Sequence, residues 1–281
     1  MILVFGSTGT TGGEVARQLI AAGQKPRLFV RTPEKAREFQ GQAEIAAGDL
    51  ARTETLAPAM KGVEKLFLVS AGLQGTSQEI AAIDAAKKAG VKHVVKLSVI
   101  GADSPSLTFS KWHANVEKHL MASGLKWTMV RPVNFMSNAL MWAATIKAQG
   151  AFHQPTGGGR WAAIDPADIG AVAVKALTAP GHEGKGYTLT GPEALNGAQY
   201  AAVISTAIGK PVKFVDVPAE AARDNILQTG MPPEYVDALL DLFAAMKAGK
   251  ADVVTDGVEK VLGRKPGTFD AWVRRHRAAF V

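Results

Sequence analysis

Short apolar runs and stretches of helical period alternate through the first 130 residues. Ile2-Leu3-Val4-Phe5 is followed by Glu14-Val15-Ala16-Arg17-Gln18-Leu19-Ile20, whose apolar positions share one helical face. The same punctuation then recurs. Ala22-Gly23-Gln24-Lys25 precedes Arg27–Val30, and Lys61-Gly62-Val63-Glu64-Lys65 precedes Leu66–Val69. Ala89-Gly90-Val91-Lys92 precedes His93–Leu97, and Ser123-Gly124-Leu125-Lys126 precedes Trp127–Val130. Each glycine sits where a helix ends and a β-rich run begins, since glycine accepts the left-handed conformation that stops a helix. Runs this apolar suit strands covered on both faces. With Ala43–Ala47 as the third, about six strands precede Arg131, which predicts an α/β fold with a doubly wound parallel sheet of the Rossmann type.

After Arg131-Pro132 the pattern changes. Phe135–Gln149 reads as a helix, and Phe152–Ile164 as two extended pieces around Gly157-Gly158-Gly159. Asp165-Pro166-Ala167-Asp168 signals a helix start, because Asp caps and Pro fits the first turn. A strand over 187–190, a helix over 198–208, a strand over 212–217 and helices near 219–229, 233–248, 256–263 and 268–279 complete the chain. The expected organisation is a dinucleotide-binding domain over 1–133, completed by 165–190. Residues 134–164 and 191–281 are expected to form a smaller, mainly helical substrate-binding lobe.

Composition narrows the class. A chain of 281 residues with 47% hydrophobic and 20% charged residues is globular. It has no cysteine, hence no disulfide, thiol chemistry or thiolate-bound metal. No apolar run is long enough to cross a bilayer. With the first strand at Met1 there is no room for a signal peptide, and a cytoplasmic protein without membrane partners is expected. The net charge of +7 raises nucleic acid as a partner. Yet the basic residues are spread along the chain, and the cluster Arg274-Arg275-His276-Arg277 comes with no nucleic-acid-binding signature. No nucleic-acid partner is expected, and phosphate-bearing small molecules fit the charge better. His93, His119, His153, His182 and His276 show no ligand spacing, so no metal is inferred.

The candidate chemistry starts at Gly6-Ser7-Thr8-Gly9-Thr10-Thr11-Gly12, which links the first strand to the first helix. Free N–H groups and the helix dipole favour an anion at such a helix start, and glycines let phosphate oxygens approach the backbone. Gly6, Thr8, Gly9, Thr10, Thr11 and Gly12 are therefore candidates to hold a diphosphate. The tip of the second strand, 19 residues after Gly12, meets the adenosine ribose in dinucleotide folds, and an acid there selects NAD(H). This chain has Arg31 instead, with Lys35 one turn on, which favours NADP(H) over NAD(H). The alternative for Arg31 is a solvated strand end. Asp49 and Leu50, closing the third strand, are placed near the adenine, a helix cap being the lesser alternative for Asp49. Ser70, Ala71 and Gly72 at the end of the fourth strand face the middle of the dinucleotide, and Ser98 at the end of the fifth joins the same set. Phe135, Met136, Trp142 and Trp161 are candidates to line an apolar acceptor pocket or, alternatively, to form lobe core. Asn134 is a candidate contact to the carboxamide or substrate.

The chain resembles the NmrA-like group of atypical short-chain dehydrogenases/reductases, in particular its short bacterial quinone oxidoreductases, triphenylmethane dye reductases and flavin-free azo dye reductases. The resemblance runs over the whole chain. It rests on Gly6–Gly12, Arg31, Gly48-Asp49-Leu50, and Trp112–Asn138 with Glu117, Leu120, Gly124, Arg131-Pro132 and Phe135-Met136. Gly191-Pro192 and Lys210-Pro211-Val212 also fit. The wider superfamily carries Tyr-x-x-x-Lys on the helix after the fifth strand, four residues before a Glu. Counting back from Glu117 puts His113 at the Lys position and Phe109 at the Tyr position. The resemblance thus implies a site without that proton donor, with Phe109 facing the substrate. His113 is the surviving polar contact to ribose or acceptor, unless it is simply bonded in the core. An ordinary ketone needs its alkoxide stabilised as hydride arrives, whereas conjugated acceptors delocalise the charge. The activity implied by the resemblance is NADPH-dependent reduction of quinones, azo dyes or triphenylmethane dyes. It needs neither flavin nor metal, and its substrate is a small aromatic or quinonoid molecule. The competing expectation is a non-catalytic NADP(H)-binding redox sensor of the NmrA type.

Overall fold

The computed structural model describes all residues, 1–281. The chain runs through β1 (Ile2–Val4), α1 (Thr10–Ala21), β2 (Arg27–Val30), β3 (Glu44–Ala47), α2 (Leu56–Met60), β4 (Lys65–Leu68), α3 (Gly75–Lys88), β5 (His93–Leu97), α4 (Thr108–Ala122) and β6 (Lys126–Pro132). It continues with α5 (Ala143–Gln149), β7 (Ala151–Gln154), β8 (Arg160–Trp161), α6 (Pro166–Thr178), β9 (Lys185–Leu189), β10 (Leu195–Asn196) and α7 (Gly197–Ile208). The last elements are β11 (Lys213–Asp216), α8 (Ala219–Leu227), α9 (Pro233–Lys247), α10 (Gly257–Leu262) and α11 (Phe269–Arg275).

Seven strands form one sheet in the order β3-β2-β1-β4-β5-β6-β9. The pairings from β3 through β6 are parallel. The last pairing keeps that direction, with Gly184 N–H on Trp127 O and Val133 N–H on Leu189 O. This is the doubly wound Rossmann-like α/β fold expected from the alternating runs. The four punctuating glycines, Gly23, Gly62, Gly90 and Gly124, all take φ between +74° and +84°, a region that carries no penalty only for glycine.

The chain divides into two compact units. The first comprises Met1–Pro132, Pro166–Thr188 and Lys260–Gly263. Its core joins Leu3, Phe5, Leu66, Leu68 and Val94 from the strands to Ala82, Ile83, Val116 and Leu120 from α3 and α4. Helix α6 crosses α1 at close range: a Cβ on Gly170 would meet Glu14 Cβ at 2.8 Å, and Gln18 Nε2 donates to Ala167 O at 2.9 Å.

The second unit comprises Val133–Asp165, Leu189–Glu259 and Arg264–Val281. Two small two-stranded sheets brace it, β8 antiparallel to β10 and β7 parallel to β11. Its core is aromatic. Trp142 lies flat on Phe152 at 4.0 Å, Trp161 on Tyr200 at 4.7 Å, and Phe269 on Trp272 at 5.9 Å. The helix expected over Phe135–Gln149 is only half present. Met136–Trp142 is a 3-10 segment, and α-helix begins at Ala143. The reason is tethering: Ile164 N–H bonds Asn134 O and Met136 N–H bonds Ile164 O, so the chain enters extended and winds tightly afterwards.

The sheet itself holds buried titratable groups, of which His93 bears on stability. His93 opens β5 between Lys65 and Lys126 on the neighbouring strands. Its Nε2 is 2.9 Å from Thr128 Oγ1, whose own proton goes to His182 O, so His93 Nε2 donates. Its Nδ1 is buried without a partner. Desolvation, helped by Lys65, Lys126 and His182 and opposed by Glu183, lowers the imidazole pKa to about 4. The unfolded chain therefore takes up a proton near pH 6.5 that the folded chain refuses until about 4. Stability from this group is full above pH 6.5 and falls as pH drops, by about 3 kcal/mol at pH 4. Urea titrations from pH 7 to 4 should show that loss, and His93→Leu should flatten it. An unchanged pH slope in the variant contradicts this assignment.

Candidate functional site

The candidate site is built on the turn between β1 and α1. Gly6 adopts φ +63°, which places Gly9 N–H on Gly6 O at 2.8 Å and folds the loop back under the helix. A Cβ on Gly12 would fall well inside contact distance of Gly6 O, with Phe5 O only 2.6 Å away. Backbone lies against backbone at this point, so only glycine fits. Gly9 caps α1 without any side-chain hydrogen bond, and no acid stands in the first turn. The first N–H groups of the helix therefore point outward with no capping side chain to receive them. Thr8, Gly9 and Thr10 are exposed. Ser7 Oγ and Thr11 Oγ1 are buried and bond nothing in the chain. Uncapped N–H groups, orphaned hydroxyls and a cradle that a Cβ would fill suit a phosphate-bearing ligand.

Around that turn the strand ends supply further groups. Arg31 and Lys35 are exposed, and neither is held in an ion pair. Nearby cations, by contrast, are engaged: Arg17 with Glu14 and Glu38, Arg27 with Glu44. Asp49 closes a local turn, its Oδ1 accepting from Ala51 N–H at 3.0 Å, and Leu50 packs against the core. Asp49 caps no helix: the N-cap of the next helical turn is Arg52. Ala71 and Gly72 are exposed.

Two of the expected contact residues have their side chains bonded within the protein. Ser70 faces inward, its N–H and hydroxyl both on Glu79 Oε1 at 2.9 and 3.0 Å, so its side chain is committed to the protein. Ser98 is buried and donates to Glu117 Oε1 at 2.5 Å. Glu117, only 2% exposed, is also gripped by Arg131 through Nε at 2.9 Å and Nη2 at 2.6 Å, and Arg131 reaches on to Asp103. A buried carboxylate needs such partners, and Ser98 is one of them.

His113 lies half-buried on α4, and its Nδ1 is 2.9 Å from Lys96 Nζ. Lys96, in the middle of β5, is fully buried and paired with Glu79 at 2.9 Å. Desolvation first, and the Lys96 charge second, hold the His113 pKa well below the usual imidazole range. Sequence reasoning missed Lys96 and Glu79. The signal available was a lysine inside the otherwise apolar run His93–Leu97. Phe109, four residues before His113, is half-buried and meets Trp112 edge-on at 5.3 Å.

In the second unit the expected acceptor-lining residues separate. Met136 and Trp161, at 1% and 3% exposure, lie in the core cluster, as in the lobe-core alternative, with Trp161 stacked on Tyr200. Phe135 and Asn134 are half-buried, and so is Trp142, with one face covered by Phe152.

A family model described as NAD(P)H-binding matches residues 6–180, from the glycine turn through α6. The chain belongs to this NAD(P)H-binding family. Its relatives include an NAD(P)H azoreductase of Xenophilus azovorans, 44% identical over 100% of this chain and 99% of that protein. Another is a (4-alkanoyl-5-oxo-2,5-dihydrofuran-3-yl)methyl phosphate reductase of Streptomyces griseus, 36% identical over 100% and 99%. Among solved structures, the NADPH-dependent quinone oxidoreductase QOR2 of Escherichia coli complexed with NADPH superposes with a TM-score of 0.89. It is 29% identical and covers 99% of this chain and 100% of its own.

The fit of a nicotinamide dinucleotide therefore rests on the turn as well as on the relationship. Gly12→Ala should destabilise the protein by about 1–3 kcal/mol, since the clash is with carbonyl oxygens that no rotamer relieves. It should also weaken NADPH binding at least tenfold in calorimetric titrations. Wild-type stability and affinity in this variant would contradict the close approach.

Proposed function

We propose that this protein is an NADPH-dependent reductase that passes hydride to a flat, conjugated acceptor such as a quinone or an azo compound. The observation that carries the reading is the uncapped glycine turn, with its orphaned Ser7 and Thr11 hydroxyls, in a chain that leaves Arg31 unpaired at the tip of β2. The azoreductase and quinone oxidoreductase relatives support the acceptor class. Substrates of triphenylmethane type belong to the same proposal.

The turn residues Thr8–Gly12 hold the diphosphate through backbone N–H groups and the helix dipole. Arg31, with Lys35 beside it, makes charge-assisted bonds to the 2′-phosphate, and the absence of an acid at this point removes the preference for a free ribose hydroxyl. Ala71 and Gly72 leave the backbone at the end of β4 open to the middle of the dinucleotide. Bound there, NADPH supplies the hydride. His113 stands on α4 at the position of the Lys in the Tyr-x-x-x-Lys pattern that the resemblance implies, and is the proposed polar contact at the reacting end. Phe109, one turn earlier, offers an apolar ring and no proton. An acceptor that spreads the incoming charge over a π system is therefore matched to these residues better than an isolated ketone. Phe135, Trp142 and Asn134 remain proposed acceptor contacts.

Arg31→Ala should weaken NADPH roughly 10- to 150-fold more than NADH, corresponding to one charge-assisted bond of about 1.5–3 kcal/mol. Titrations with both nucleotides test this, and an equal loss for both would overturn the role of Arg31. NADPH absorbance should fall on adding quinones or azo dyes. Tight NADPH binding with no oxidation by any acceptor would favour the sensor over the reductase.

A further inference from the structure

Beneath the ends of β4 and β5 lies a chain of buried polar contacts that the proposed function leaves unused. Lys96 Nζ donates to Leu97 O at 2.8 Å and contacts His113 Nδ1 at 2.9 Å. Its charge is met by Glu79 Oε2, also at 2.9 Å but off the line of a hydrogen bond. Glu79 Oε1 is held by the N–H and hydroxyl of Ser70. Lys96 is 0% and Glu79 2% exposed, so neither can turn to water.

An ammonium has hydrogens to give and nothing with which to accept. His113 Nδ1 must then be the acceptor, which leaves the ring neutral with its one proton on Nε2. The ring's hydrogen bond within the protein is the one at Nδ1. Every charged group facing the ring sustains this state. Lys96 from β5 opposes a second proton. Glu79 from α3 is spent on Lys96 and Ser70. Glu117, one turn along α4, is spent on Ser98 and on Arg131 from β6. His119, further along α4, pairs with Asp84 of α3 on the exposed side.

We propose that Lys96 is a positioning residue that locks His113 as a neutral Nε2–H donor, and that this N–H stabilises the negative charge left on the acceptor by hydride uptake. The inference deepens the reductase reading and rests on it. When a neutral quinone takes a hydride with its electron pair, one C–H or O–H bond forms and an oxygen is left anionic. His113 Nε2–H bonds that oxygen, and water then delivers the proton. An azo bond leaves an anionic nitrogen in the same way. A cationic triphenylmethane carbon becomes neutral on taking hydride and has no anion to stabilise. The device therefore selects neutral acceptors that become anions.

Two readouts test this. The first is the two-bond 1H–15N spectrum of histidine-labelled protein without nucleotide, with His113 assigned by His113→Asn. His113 should show a protonated Nε2 and a bare Nδ1 from pH 5.5 to 8.5. Lys96→Met alone would strand the Glu79 charge in the core, so the informative variant is Glu79→Gln/Lys96→Met, which removes both charges and keeps an oxygen for Ser70. In it His113 should titrate closer to the ordinary range and populate the Nδ1–H form. A wild-type Nδ1–H tautomer, or an unchanged ring in the double variant, overturns the positioning role. The second readout is acceptor choice. In the double variant and in His113→Ala, kcat with a neutral quinone should fall at least tenfold. The loss with a cationic triphenylmethane dye should be at least fivefold smaller than the loss with the quinone. Equal losses for quinone and dye overturn the anion-stabilising role. A wild type inactive with every acceptor removes the reductase reading and that role together, and the spectrum still decides the Lys96–His113 arrangement.

Discussion

No side chain can stand between Gly12 and the carbonyl of Gly6. That close approach draws the start of α1 against the end of β1 and turns the first N–H groups of the helix outward. Phe5 and Leu3 are anchored in the core on one side, and Val15, Ala16 and Leu19 of the helix are fully buried on the other. The turn is thus fixed by packing on both flanks and owes nothing to a capping side chain. The result is a turn with outward N–H groups already in the arrangement that suits an anion, as the proposed diphosphate contact requires.

The ends of the next strands are stiffened differently. Just beyond β4 stands Ser70, tied to Glu79, and just beyond β5 stands Ser98, tied to Glu117. Each carboxylate is then neutralised by a cation from the sheet, Lys96 in one case and Arg131 in the other. Such buried pairs contribute little net stability, but losing one partner costs about 3–5 kcal/mol. They act as fasteners: each fixes a strand end, a helix and a serine at once. The Lys96 fastener does more, because its remaining contact is to His113, whose ring state it sets.

Much of the architecture was legible because glycine and apolar runs report directly on backbone demands. The four glycines before strands, the Asp165-Pro166 helix start and the turn after β1 all obey conformational rules that tertiary contacts do not override. The 3-10 winding at Met136–Trp142 was hidden, since it depends on a tether to Ile164, 28 residues later in the chain. The site divides along the same line. The proposed roles of Thr8–Gly12, Arg31 and Lys35 rest on local backbone or plain exposure, and their positions could be read. Ser70 and Ser98 stand at the right strand ends but turn inward, because carboxylates on α3 and α4 lie within reach of their hydroxyls. Met136 and Trp161 look alike as pocket or core in any apolar segment, and only the stacking on Tyr200 separates them. Lys96 was visible as a charge in an apolar strand, yet its partner Glu79 comes from a different element, and spacing along the chain does not pair them.

The central claim is that the turn between β1 and α1 receives the diphosphate of NADPH. Backbone amide spectra of 15N-labelled protein during an NADPH titration test it most directly. The account predicts saturable shifts in the amides of Thr8–Gly12, with Arg31 moving on the same isotherm. Saturable binding that leaves the turn amides in place while moving others would contradict it.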